Sequence, residues 1–260
     1  MKTITSAQND ALKHLAKLLS SAKYRRETGQ AALEGVHLLD ALLNAGGMPV
    51  QVFVPEHRSA AAEVQALLAR VPQETVYTVA ERALEKINSL SEGADIVSVM
   101  VVPSEKALPE NGDCAVLEKV QDPGNIGTVL RSAAASGVQR IVLDKGCADV
   151  WSPKVLRAGM GAHFLLSLHT RADLLQWRPA YREPLYVTAL GAGKPKSLYE
   201  LDLRGPCAWL FGNEGSGASE TMQQAADECV LIPMAGATES LNVAMAATVC
   251  LFEQMRQRLP

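Results

Sequence analysis

The sequence predicts an α/β protein whose C-terminal domain has a mostly parallel sheet with helices on both faces, preceded by a smaller α/β domain. Two observations lead to this prediction. After residue 113, short apolar segments of strand length alternate strictly with helical segments, and that order produces a parallel sheet. Before it, the polar segment 104–113 carries a proline and a glycine and is typical of a linker between domains.

The first domain, residues 1–103, is predicted from the spacing of its apolar residues. Between Asn9 and Ser20 they recur with helical spacing, whereas Ile96–Val102 is a β-branched run typical of a buried strand. The predicted helices are Asn9–Ser20, Val36–Leu43, Ser59–Arg70 and Ala80–Lys86. The predicted strands are Ala31–Glu34, Val50–Val54, Thr75–Val79 and Ile96–Val102.

The second domain, residues 114–260, contains the alternating elements. Its predicted strands are Ala115–Val120, Arg140–Leu143, Phe164–Leu168, Leu185–Leu190, Cys207–Phe211 and Cys229–Ile232. Its predicted helices are Ile126–Ser136, Ser152–Gly159, Ala172–Trp177, Ser219–Ala226 and Ser240–Arg258. The last helix carries no charge through Phe252, and a helix that is apolar on every side is expected to be buried.

Composition excludes several classes of protein. Hydrophobic residues make up 48% of the 260 residues and charged residues 20%, which is a globular composition. The polar start lacks a secretory signal, and no apolar run is long enough to span a bilayer, so we expect a cytoplasmic protein without a membrane contact. The five cysteines include no C-x-x-C pair and the histidines have no metal-ligand spacing, so we expect no metal.

Positive charge is concentrated at the start of the chain. The net charge is −3, yet residues 1–30 contain six basic and two acidic residues. Such a face can contact nucleic-acid phosphates, and its candidate residues are Lys23, Arg25 and Arg26. The alternative is a solvated helix surface without a partner.

Three predicted strands of the second domain run into turns that contain polar or glycine residues. The first turn leads to Asn125, which we expect to cap the next helix, and to Arg131, which lies among small apolar residues and should have an anionic or carbonyl partner. The second carries Glu214 among Gly212, Gly215 and Gly217. The third leads to Ser240 and Asn242. Because ligands of open α/β sheets bind beyond the carboxyl ends of the strands, we expect these turns to form one site.

Each of these residues also has an ordinary structural interpretation. Asn125 and Asn242 can be helix caps, and Glu214 can be a turn carboxylate. The chain lacks both the G-x-x-x-x-G-K-[ST] phosphate loop and a strand–G-x-G-x-x-G–helix unit. A kinase or a Rossmann-type oxidoreductase is therefore disfavoured.

Taken together and in this order, the three segments resemble the motifs of the SpoU family of SPOUT-class RNA 2′-O-ribose methyltransferases. The first resembles N-x-G-x-x-x-R, the second G-x-E-G-x-G and the third I-P-M-x-G-x-x-x-S-L-N-V, which runs here from Ile232 to Val243. The first domain resembles the family's accessory RNA-binding domain, which is similar to a ribosomal-protein fold. That second likeness rests on Tyr24-Arg25-Arg26 and on Leu33-Glu34-Gly35.

The resemblance implies a deep trefoil knot, S-adenosylmethionine as cofactor, and a homodimer with its active site near the interface. It also implies which residues hold the cofactor, through backbone groups near Leu190, Gly191, Gly212, Ile232 and Leu241. The implied substrate is RNA, with ribosomal RNA favoured over transfer RNA because of the separate N-terminal domain. A transfer RNA ribose methyltransferase and a non-catalytic RNA-binding protein that keeps the fold remain the alternatives.

The resemblance also assigns roles to the motif side chains. Arg131 would hold the phosphate of the target nucleotide and stabilise the developing alkoxide, since a guanidinium with a pKa above ~12 is a poor general base. Glu214 would orient this arginine or fix its own loop. Asn125, Ser240 and Asn242 would position the ribose and the motif loops.

Overall fold

The computed structural model describes residues 2–84, 96–189, 194–238 and 240–259. The chain divides into two compact units. Unit 1 comprises Met1–Ser104 together with Trp151–Phe164, and unit 2 comprises Glu105–Val150 together with Leu165–Pro260.

The strands, numbered in chain order, are β1 Lys2–Ile4, β2 Gln30–Glu34, β3 Gln51–Pro55, β4 Val76–Val79, β5 Val97–Val101, β6 Cys114–Leu117, β7 Arg140–Asp144, β8 Ser167–Ala172, β9 Leu185–Thr188, β10 Lys196–Ser197, β11 Ala208–Phe211 and β12 Glu228–Leu231. The α-helices are α1 Asp10–Ser20, α2 Ala22–Thr28, α3 Val36–Asn44, α4 Ala62–Leu68, α5 Glu81–Leu84, α6 Pro123–Ser136, α7 Pro153–Gly159, α8 Leu174–Trp177, α9 Glu220–Ala225 and α10 Val243–Arg258. None of the helices in the described residues is long and apolar enough to cross a bilayer.

Unit 1 is built on a mixed sheet of order β1-β4-β3-β5-β2. β1, β4 and β3 are parallel, and β5 is antiparallel to both of its neighbours. α7 belongs to this unit: Leu156 is fully buried with Leu33 and Leu38, and Arg157 forms an ion pair of 3.1 Å with Glu34. The core of unit 1 is therefore completed by a segment far along the chain.

Unit 2 contains the parallel sheet that the alternating pattern predicts. Its order is β10-β12-β9-β11-β6-β7-β8, and every pairing is parallel. β6 and β11 are neighbours at the centre, with all of their residues buried. Because parallel strands end at the same edge of a sheet, the turns that follow β6, β11 and β12 meet there.

Most of the segment 104–113, predicted as a linker, is attached to unit 2 by specific contacts. The indole Nε1 of Trp177 donates to the carbonyl of Pro109 at 2.7 Å, and the hydroxyl of Tyr181 donates to the carbonyl of Gly112 at 2.6 Å. Both aromatic side chains are buried. These contacts could not be predicted from the composition of the segment, because their acceptors are backbone carbonyls, which every residue has.

Arg25 does not lie on the basic surface of unit 1. Its residue is 5% exposed, and its guanidinium donates to the carbonyls of Leu18 and Leu19 at the end of α1. A buried guanidinium that is engaged with its own chain does not reach phosphates, so Arg25 is withdrawn as an RNA contact. Lys23 and Arg26 are exposed.

Candidate active site

α6 places Asn125 at the carboxyl edge of the sheet. The helix begins one turn earlier than predicted, with Asp122 as its N-cap: Oδ1 of Asp122 accepts from the backbone N–H of Asn125 at 2.9 Å. The expectation that Asn125 is the cap was therefore wrong. Asp122-Pro123 was the sequence signal, because proline favours the first helical position after a capping residue. The Asn125 side chain is left available for other contacts.

Glu214, in the turn after β11, joins the second motif to the first. Its Oε1 accepts from the backbone N–H of Asp122 at 2.9 Å and from Nδ2 of Asn125 at 3.1 Å. Its Oε2 accepts from the backbone N–H of Gln121 at 3.2 Å. Partial burial raises the pKa of Glu214, but these hydrogen bonds outweigh it and hold the pKa below its usual range. The carboxylate form is the one that the site stabilises.

Asn242 joins the third motif to the same cluster. Its Oδ1 caps α10 by accepting from the backbone N–H groups of Ala244 at 2.9 Å and Met245 at 3.3 Å. Its Nδ2 donates to Oδ1 of Asn125 at 2.9 Å. The capping interpretation is thus correct, and the same amide also contacts the first motif. One chain of hydrogen bonds connects Asn242, Asn125 and Glu214.

The loop 212–217 is closed on itself and leaves no space for a side chain at Gly212. Asn213 and Gly217 exchange backbone hydrogen bonds of 3.0 and 2.9 Å. A Cβ at Gly212 would lie 2.0 Å from the backbone nitrogen of Ala218. The Nδ2 of Asn213 also donates to the carbonyl of Lys119 at 2.9 Å, which fixes the loop to the end of β6. Sequence analysis did not single out Asn213.

A cavity of about 460 Å³ lies beside this cluster. Gly212, Ile232 and Leu241, which the resemblance implied as cofactor contacts, line it, and so do Ser240 and Glu214. Leu190 and Gly191 lie outside the described residues. Lining residues that the sequence did not indicate include Thr188, Asn213, Glu220, Gln223 and Met234.

The charge around the cavity suits a cationic ligand. Glu214 and Glu220 are the charged side chains of the lining in the described part of the chain, and no lysine or arginine is among them. No group of three or more possible metal-ligating side chains occurs among the described residues. The lining is that of a small-molecule pocket with two carboxylates in its wall.

Arg131 is not part of this cluster. It is exposed on α6, and among the described residues it has neither a hydrogen bond nor an ion pair. The expected partner within the chain, Glu214 included, is not observed. Its position six residues beyond Asn125 corresponds to about 9 Å along the helix and about 1.7 turns, so it faces a different side of α6.

Two family models match the chain. The one described as the SpoU rRNA Methylase family matches residues 114–252, which include all three motifs. The one described as the MRM3-like substrate binding domain matches residues 9–98.

Known proteins resemble the chain over nearly its whole length. An uncharacterized tRNA/rRNA methyltransferase of Synechocystis is 36% identical, over 98% of this chain and 94% of its own. The 23S rRNA (guanosine(2553)-2′-O)-methyltransferase RlmP of Bacillus subtilis is 31% identical, over 97% of this chain and 98% of the RlmP chain. The SpoU methyltransferase AviRb from Streptomyces viridochromogenes, solved in complex with the cofactor AdoMet, superimposes with a TM-score of 0.84 at 27% identity, covering 96% of this chain and 98% of that one.

Proposed function

The chain belongs to the SpoU rRNA Methylase family, and we propose that it transfers a methyl group from S-adenosylmethionine to a ribose 2′-hydroxyl of 23S ribosomal RNA. The observation that carries this proposal is the cluster Asn242–Asn125–Glu214, which joins the three family motifs at the edge of the 460 Å³ cavity. The Bacillus relative, which covers almost the whole chain, methylates a 2′-oxygen of 23S rRNA according to its name.

The cavity fits the cofactor. Its volume lies within the range of small-molecule sites, about 300–1,000 Å³, and glycine at position 212 lets the loop 212–217 fold tightly against Ala218 at the cavity wall. Glu214 and Glu220 complement a positively charged sulfonium. When bound, S-adenosylmethionine supplies an electrophilic methyl group, and its sulfur becomes a neutral thioether as the carbon–sulfur bond breaks.

The motif side chains position the site. Glu214 stays ionised and holds the start of α6 against the loop 212–217, while Asn125 and Asn242 join the start of α6 to the start of α10, which borders the cavity. Ser240 is exposed at the cavity, and we assign it the contact to the ribose. The 2′-hydroxyl as target explains a preference for RNA over DNA.

Arg131 requires a second copy of the chain. It is exposed and lies outside the cavity lining, so we propose that the site is completed in a homodimer, where Arg131 of one protomer contacts the RNA phosphate and the developing alkoxide at a cavity at the interface. α10 offers a surface for such contact, because Met245 and Phe252 are 48% and 37% exposed. The trefoil knot that the resemblance implies stays a prediction.

Unit 1 is proposed to hold the RNA. Its match to a substrate-binding domain and its exposed Lys23 and Arg26 support this role. An rRNA substrate supports the cytoplasmic location that the sequence predicts.

The test is methyl transfer to defined RNA. Purified protein with tritiated S-adenosylmethionine should label protein-free 23S rRNA from cells that lack this protein, and mapping of 2′-O-methylation should find one nucleotide that is modified only in its presence. Bulk transfer RNA serves as the comparison. Labelling of transfer RNA alone would show that transfer RNA, and not ribosomal RNA, is the substrate. Cofactor binding without labelling of any RNA would refute the activity.

A further inference from the structure

We propose that a second cavity in unit 2, bordered by Lys119 and Lys145, is a subsite for a phosphate of the substrate RNA. The inference rests on the proposed function and adds a binding site to it. The cavity measures about 300 Å³ and lies where β6 and β7 end, next to the start of α8 and of α9.

This cavity is separate from the cofactor cavity, although the same segment borders both. Ala218, Glu220 and Gln223 line the cofactor cavity, whereas Ser219, Thr221 and Met222 line the second one. The second cavity therefore lies across this segment from the proposed methyl donor. An RNA strand that brings its 2′-hydroxyl to the first cavity would extend its neighbouring phosphates toward the second.

The carboxylates around the second cavity are already engaged with backbone N–H groups. Oε2 of Glu118 accepts from Ser219 at 2.8 Å. Oδ1 of Asp144 accepts from Lys119 and from Gly146, both at 2.9 Å. Oδ1 of Asp173 caps α8 by accepting from Gln176 at 3.2 Å.

The two lysine ammonium groups, unlike these carboxylates, have no hydrogen-bond partner among the described residues. Lys119 and Lys145 are exposed, and neither ammonium group has a hydrogen bond or an ion pair with any residue that the structure describes. The lining holds three carboxylates and two lysines, but the carboxylates are already hydrogen-bonded, so the two ammonium groups are the charges that remain available to a phosphodiester. Leu175, 50% exposed on the same cavity, offers an apolar surface to the attached nucleoside.

The backbone of Lys119 supplies an independent argument. Its φ is +54°, in the left-handed region where a side chain costs energy and glycine does not. The side chain also needs space, because a Cβ at Gly146 would lie 2.7 Å from Cγ of Lys119. Glycine would thus be the more stable residue at position 119, and the presence of a lysine in a strained conformation beside an active site points to a function of its ammonium group.

The experiment measures binding of protein-free 23S rRNA as a function of salt. Each phosphate contact contributes about 0.7–0.9 to the slope of log K against log salt. Lys119→Gly and Lys145→Ala should each flatten the slope by about this amount and weaken binding about 3- to 10-fold near 0.1 M salt. Lys196→Ala, which removes an exposed lysine from β10 at the opposite edge of the sheet, is the matched control and should match wild type.

Two further readouts separate this role from a structural one. S-adenosylmethionine affinity of all variants should stay within about twofold of wild type, and Lys119→Gly should unfold at the same or a higher temperature than wild type. A protein that is stabilised yet binds RNA more weakly has lost a contact, not its fold.

Unchanged slopes and affinities in both lysine variants, or the absence of 23S rRNA binding by the wild type, would overturn the subsite. The proposed function fails differently: wild-type protein that binds 23S rRNA with the predicted slopes but transfers no methyl group would leave the phosphate subsite intact and remove the assigned reaction.

Discussion

Nδ2 of Asn242 donates to Oδ1 of Asn125 across 2.9 Å, although 117 positions separate the two residues in the chain. The bond joins the first turn of α6 to the cap of α10, and these two helices also pack side by side, with Ser132 Oγ 2.7 Å from Thr248 Oγ1. The two amides therefore join the starts of both helices beside the 460 Å³ cavity.

Asn242→Asp isolates this bond. Aspartate caps a helix as well as asparagine does, so the free energy of unfolding should fall only by the lost bond to Asn125, about 1 kcal/mol, whereas Asn242→Ala loses this bond and the cap and should cost about 2 kcal/mol. The aspartate has no N–H to give to Asn125, so kcat should fall in both variants. Chemical denaturation and methyl transfer measure the two effects, and full activity of Asn242→Asp would show that the bond is dispensable.

Gly212→Ala tests the close approach of the backbone in the loop 212–217. The added Cβ would meet the backbone nitrogen of Ala218 at 2.0 Å, so the loop must shift and S-adenosylmethionine binding should be lost, with a destabilisation of about 3 kcal/mol. Gly215→Ala is the control, since its nearest neighbour, Oδ1 of Asn213, lies at 3.6 Å, an ordinary contact. Calorimetric titration with the cofactor compares them, and equal affinities would contradict the assignment.

Glu214 predicts a pH dependence of stability. Its pKa is lowered in the folded protein, so the stabilisation from the carboxylate is present above the unfolded pKa, about 4.3, and disappears as the pH falls through the lower folded pKa. Glu214→Gln should therefore have a lower melting temperature than wild type at pH 7, and the two should converge as the pH falls below the lowered pKa of Glu214 in the folded protein. If the difference in melting temperature between the two proteins stays constant from pH 7 to pH 3, the effect comes from packing and not from the charge of the carboxylate.

Arg131→Ala should bind S-adenosylmethionine as wild type does and lose about 10²–10³-fold in kcat, because the residue lies outside the cavity but is proposed to act on the developing charge. Arg204→Ala removes the same charge at an exposed site, where the arginine is paired with Asp202, and should leave kcat unchanged. Equal activity of both variants would remove Arg131 from the mechanism.

The position of Arg131 across a dimer has its own test. Mixing Arg131→Ala with the cofactor-deficient Gly212→Ala yields hybrid dimers in which one site has both functional parts, if the arginine is supplied by the partner. The mixture should then be more active than either variant alone. Activity no higher than the sum of the two would place the arginine and the cavity within one protomer.

The sequence predicted the parallel sheet well because each of its central strands is a continuous apolar run that needs no partner to be recognised. β1 and β10 were missed because strands of three and two residues are defined only by pairing with β4 and β12. β8 begins at Ser167, three residues after the predicted start, since its polar edge-strand residues concealed it. α2 was missed despite usable signals, the cap Ser21 and the left-handed Gly29.

The candidate site was predictable in its members more than in its contacts. Motif spacing indicated Asn125, Glu214 and Asn242, and all three lie in one hydrogen-bonded cluster. The contacts of individual side chains were not predictable. Arg25 donates to carbonyls of α1 and does not face solvent. Arg131 makes no bond to Glu214, whose carboxylate instead accepts from the backbone of the first motif. Both outcomes depend on how neighbouring helices begin and end, which local composition does not specify.

The assignment of Trp151–Phe164 to unit 1 has a consequence for dissecting the protein. The polypeptide passes from one unit to the other near residues 104, 150 and 164, so a single protease cut at any of these places gives two fragments that are held together only by packing. After a cut near 104 or 150 the contact is that of Leu156 in the core of unit 1, and after a cut near 164 it is the pairing of β6 with β11 and of β7 with β8 in unit 2. Truncation at residue 104 would yield a fragment with an open hydrophobic face around Leu33 and Leu38, prone to aggregate when expressed by itself.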